Sequence, residues 1–223
     1  MKIIHRLFFI LLACLSFAPA QSAPPLQEEI VEILKPQLNS DRIEYFFGSF
    51  GIELLHLQSC EFPENRVSNL YSIHNNEKVM RTLALVTFEQ PVHPLLQETH
   101  KEITKGKAIG MALQHSGWKI KKTPTYFGSF YLDEKILQWM QEKQSNQAAI
   151  HVYELSAYRD DQTPIRYCTI AEIHSPQYLS IEWLKALYPE QWNAFTEQTE
   201  KITAFLDQLS QWARHFPTKG TNL

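Results

Sequence analysis

Residues 81–88, Arg-Thr-Leu-Ala-Leu-Val-Thr-Phe, constrain this chain more than any other stretch. Read as a strand, they put Leu83 and Leu85 on one face and Ala84, Val86 and Phe88 on the other. A strand that is apolar on both faces needs cover on both, so it belongs in the middle of a sheet. Residues 67–74 read as the strand before it, and Asn75-Asn76-Glu77 is the polar break of a hairpin.

The pattern recurs. Residues 81–91 run arginine, apolar two on, four on and seven on, then proline ten on, and residues 166–176 do the same. Phe47-Gly48-Ser49-Phe50 recurs as Phe127-Gly128-Ser129-Phe130. A second hairpin is expected from 149–158 and 165–173 across Asp160-Asp161-Gln162. Residues 42–57, rich in Ile43, Tyr45, Phe46, Phe47 and Ile52, read as extended chain. Helices are expected at 24–34, opened by Pro24-Pro25, and at 94–116, striped by Leu96, Thr99, Ile103, Gly106, Gly110 and Leu113. Shorter ones follow at 133–143 and from a Ser180 cap to 188. Pro189 then opens a long C-terminal helix, 190–216, whose stripe runs from Trp192 to Phe216. That stripe suits a coiled-coil seam for a partner or, more simply, packing on the chain's own sheet.

The expectation is an α+β fold. An antiparallel sheet is built from two hairpin-plus-helix units, 42–117 and 118–189, as a candidate internal duplication, with helices packed on one face and the long helix at the end. Residues 21–223 form one domain.

Residues 1–20 read as a signal peptide: Lys2, His5 and Arg6, an apolar run of about 11 residues from Leu7 to Phe17, then Ala18-Pro19-Ala20. Cleavage between Ala20 and Gln21 removes Lys2 and Arg6 and takes the net charge from −3 to −5. A competing reading takes Leu11-Leu12-Ala13-Cys14 as a lipobox, with Cys14 carrying a lipid anchor. The expected location is therefore periplasmic or secreted, with a lipid-anchored envelope protein as the alternative. No later segment approaches the roughly 20 apolar residues of a membrane span. Once Cys14 is removed or lipidated, Cys60 and Cys168 remain as a disulfide candidate; a buried free thiol at Cys168 is the other reading.

The acidic balance argues against a nucleic-acid partner. Seven glycines in 223 residues argue against glycine-paced repeats and phosphate-cradling loops. The chain has no Gly-x-Ser-x-Gly, no nucleoside-triphosphate loop, no His-Glu-x-x-His and no Cys-x-x-Cys. Nine histidines are present, but His93 and His100 are seven apart, and His56, His74, His115, His151 and His174 are scattered. Ligands on adjacent helical turns need spacings of three or four, so neither metal nor cofactor is expected.

Arg81 and Arg166, equivalent under the repeat, are candidate grips for an anionic ligand. As strand-end residues they also suit ion pairs with Glu44 or Glu154. Glu44, Glu53, Glu154 and Glu172 lie on strand-like segments, where the solvent face is the default for a glutamate. Tyr45-Phe46-Phe47 and Tyr126-Phe127 suit a groove lining or the core. The resulting expectation is a non-catalytic exported protein that binds a protein partner or a small ligand. The alternative is an envelope hydrolase with a dispersed active site. The hydrolase predicts that at least three polar candidates, among the histidines, the strand glutamates and Cys60, meet within hydrogen-bond reach, which separates the two.

Overall fold

A computed structural model describes residues 28–57, 65–142, 147–160 and 163–195. The export signal at 1–20, Cys14, Cys60 and residues 196–216 of the expected long helix lie outside them.

Six antiparallel strands form one sheet: β1 (Gly51–Leu57), β2 (Asn65–His74), β3 (Glu77–Phe88), β4 (Lys119–Tyr131), β5 (Gln147–Tyr158) and β6 (Ile165–His174). Their order is β1-β2-β3-β6-β5-β4. Two three-stranded meanders therefore meet along their third strands, in register from Thr82 opposite His174 to Phe88 opposite Cys168. β2 and β3 are joined through Asn75 and Asn76 at φ 50 and 65°. A two-residue hairpin turn requires left-handed backbone there, and asparagine tolerates it.

The helices are α1 (Glu28–Leu34), α2 (Asn39–Phe47), a 3-10 turn (Pro94–Leu96) running into α3 (Gln97–Thr104), α4 (Ile109–His115), α5 (Glu134–Met140), α6 (Ile181–Leu187) and α7 (Pro189–Phe195). Both faces of the central strands are covered. Ala84 packs with Leu34, Ile43 and Leu184 of α1, α2 and α6, and Val86 and Phe88 with Ile103 and Leu113 of α3 and α4. On the opposite face Leu83 and Leu85 pack with Ile136, Trp139 and Met140 of α5. The architecture is α+β, but helices on one face only is corrected: the two-faced strands require α5 on the other.

Two local expectations fail. Residues 39–47 are helix, not strand. In helical form Ile43 and Phe46 fall on one face and pack with Leu70, Tyr178 and Leu184. This burial overrides the β preference of the aromatic residues. Gly48 ends the helix at φ 70°, its amide donating to the Glu44 carbonyl. The stretch 94–116 is also broken. Gly106, at φ 114°, stops α3, and the buried Arg66 Nη1 donates to the carbonyls of Ile103 and Lys107 at 3.0 and 2.9 Å. Gly110 stays helical, and the close approach of Leu38, 2.5 Å from where a Cβ would stand, accounts for glycine there. The two Phe-Gly-Ser-Phe copies differ in form: one closes α2, the other lies within β4. No described helix is long and apolar enough to cross a membrane.

Candidate functional site

On the face covered by α1, α2 and α6, the sheet carries a buried polar cluster. β5 and β6 pair so that His151 stands opposite Glu172, and alternation brings His174 to the same face two residues on. All three are buried, at 3%, 5% and 0% exposure. His151 Nδ1 lies 3.5 Å from Glu172 Oε2. The other carboxylate oxygen, Oε1, accepts from the Tyr153 hydroxyl at 3.2 Å. His174 Nδ1 pairs with Thr82 Oγ1 at 3.0 Å, Thr82 accepts from Asn39 Nδ2 at 3.0 Å, and Asn39 Oδ1 accepts from the Tyr178 hydroxyl at 2.7 Å. The His151 ring stacks on Phe127 at 5.2 Å and on Tyr153 at 4.7 Å.

Two cations border these groups. Arg42 of α2 is 1% exposed and donates through Nη2 to the Gln37 carbonyl and the Tyr188 hydroxyl, both at 3.2 Å. Its Nε and Nη1 have no hydrogen-bond partner among the described residues. Lys122 of β4 is half-buried; burial, with Arg42 adding to it, brings its pKa down to about 8. Burial, together with Arg42 and Lys122, also lowers both histidines, His174 to about 3, so both rings are neutral at pH 7.

The cluster meets a cleft through His151. This cleft, of about 530 Å³, is lined by Gln37 and Asp41, by Lys122 and Phe127, and by His151, Tyr153 and Tyr188. A smaller cavity of about 60 Å³ beneath α2 shares Lys122 and Tyr153 and adds Glu172. The larger one falls in the size range of small-molecule sites.

Of the sequence candidates, the structure brings together His151, His174 and Glu172. Glu172 faces inward, not to solvent; Glu44 is exposed, Glu53 pairs with Lys78 and Glu154 with Arg166. Arg81 and Arg166 do not meet: they lie beyond opposite ends of the β3–β6 ladder. Arg81 is buried over the Phe47 ring, its Nε donating to Ser72 Oγ at 2.9 Å. Arg166 is half-exposed and paired with Glu89 and Glu154 at 2.8 and 3.1 Å. Cys168 is a buried free thiol. His93 caps the 3-10 turn, and His100 pairs with the Tyr167 hydroxyl at 2.8 Å. The sequence reading missed Asn39, Arg42, Thr82, Lys122 and Tyr153. The available signal was position: Thr82, Glu172 and His174 occupy the parity otherwise held by Ala84, Val86 and Ile170. No protein-family model matches the chain, and no curated protein matches it.

Proposed function

We propose that this chain binds a small organic anion in the 530 Å³ cleft. Its carboxylate or phosphate sits at Lys122 and its aromatic or apolar body lies against Phe127, Tyr153 and Tyr188. The supporting observation is a half-buried lysine on the wall of an aromatic-lined cleft, where Arg42 adds positive potential and the carboxylates of Glu172 and Asp41 oppose it. A desolvated ammonium holds an anion more strongly than one in water. Thermal unfolding in the presence of benzoate, phenyl phosphate and neutral benzamide tests this. The anions raise the melting temperature through linkage, benzamide does not, and Lys122→Met abolishes the response. No shift with either anion, or an unchanged shift in Lys122→Met, overturns the proposal.

A hydrolase is the second reading, favoured by the convergence of His151, Glu172 and His174 beside that cleft. A neutral histidine against a carboxylate suits general acid–base work. Turnover of nitrophenyl esters or phosphates that is lost in Glu172→Gln supports it; no turnover leaves binding alone.

Export, by signal cleavage at Ala20–Gln21 or lipidation at Cys14, is supported by the residue pattern of 1–20. The intact mass of the cellular product tests it. Internal duplication draws support from the two meanders and none from the Phe-Gly-Ser-Phe pair.

A further inference from the structure

The geometry points to His151, Glu172 and His174 as a binding site for one divalent transition-metal ion. One ligand atom from each lies within 4.8 Å of those of the other two. Each side chain also keeps one buried atom that makes no hydrogen bond among the described residues: His151 Nδ1 and Glu172 Oε2, which face each other at 3.5 Å, and His174 Nε2. Buried polar atoms in folded proteins are almost always satisfied, so three such atoms without a hydrogen bond on adjacent side chains suit a shared partner. Ligand atoms about 2.1 Å from a tetrahedral ion lie about 3.4 Å apart, so small side-chain movements close the set. His151 and Glu172 are at that separation already, at 3.5 Å.

The surroundings are those that metal ligands require. Thr82 holds His174 by Nδ1, with Asn39 and Tyr178 behind it. With Nδ1 donating to Thr82, Nε2 is free to coordinate. Tyr153 holds one oxygen of Glu172 and leaves the other open. Phe127 and Tyr153 fix the plane of the His151 ring. Two imidazoles and one carboxylate suit zinc, cobalt, nickel or iron over magnesium or calcium. Three protein ligands leave a position for solvent or for a group entering past His151 from the cleft. Arg42 and Lys122 oppose the ion, which sets a signature: removing the charge of Lys122 tightens metal binding while weakening an anion in the cleft. The inference rests on the buried cluster and not on the occupant of the cleft, so either can fail alone.

Zinc and cobalt(II) are titrated into the chelator-treated chain as it accumulates in cells. One ion per chain is expected, with visible cobalt bands of nitrogen–oxygen coordination. Affinity falls at least a hundredfold in Glu172→Gln and rises about tenfold in Lys122→Met. X-ray absorption of the zinc-loaded wild type needs no variant and shows two imidazoles with oxygen ligands. No stoichiometric uptake by the folded chain, wild-type affinity in a folded Glu172→Gln, or a different imidazole count overturns the inference.

Discussion

Replacing Lys122 with methionine separates a residue kept for binding from one kept for stability. Burial and Arg42 bring its pKa from 10.5 to about 8 in spite of the attraction of Glu172. Between those values the unfolded chain holds the proton more tightly than the native protein, so stability rises with pH across the window. At pH 7 the gap amounts to about 3 kcal/mol against the folded state, at about 1.4 kcal/mol for each tenfold change in proton affinity. The buried tyrosines act the other way: burial raises Tyr153 and Tyr178, so their ionisation opposes folding at higher pH. The clean window is therefore about pH 8 to 9.5, where the wild type gains about 1.5 kcal/mol. Methionine keeps the apolar stem and drops the charge. Urea unfolding at pH 7 should show Lys122→Met more stable by about 1–3 kcal/mol, the lower figure reflecting the neighbour that Glu172 loses. The alkaline rise should vanish with it. A less stable Lys122→Met, or one that keeps the full rise between pH 8 and 9.5, refutes the reasoning.

Glu172→Gln leaves Arg42 and Lys122 without their buried counter-charge; urea unfolding should show a loss of about 2–4 kcal/mol, and a loss below about 0.5 would contradict the charge assignment. Arg81→Met, which empties a buried contact over Phe47 and frees Ser72, should cost about 1–3 kcal/mol, while Arg166→Met, at half-exposed ion pairs, should cost less than about 1. The reverse ranking would show that burial does not govern these arginines. The Cys168 thiol, buried and pushed up by that burial, should resist alkylation in the native protein and react in urea; mass mapping of its peptide checks this, and rapid native labelling would be the adverse result.

The fold was legible where the signal is local. The two parities of 81–88 required cover on both faces, and β3 has it. Asn75-Asn76 encodes its own turn, and Ser180 caps α6 as its side chain dictates, accepting from the Trp183 amide at 3.3 Å. The helix at 39–47 was not legible, because Phe46 and Phe47 favour strands until they pack against Leu70, Tyr178 and Leu184. The site was half legible. His151, His174 and Glu172 were candidates on residue type alone, whereas Arg42 and Lys122 gave no sign of burial.

By itself the sequence determined the class of fold, the central strand and the hairpins, all of which depend on residues within a turn or an alternation of one another. Only the tertiary structure decided that His151 and Glu172, 21 positions apart, stand side by side, and that Thr82 from the other meander supports His174. Strand register and the junction of β3 with β6 are set by packing both faces of the sheet at once. No local run of residues carries that information.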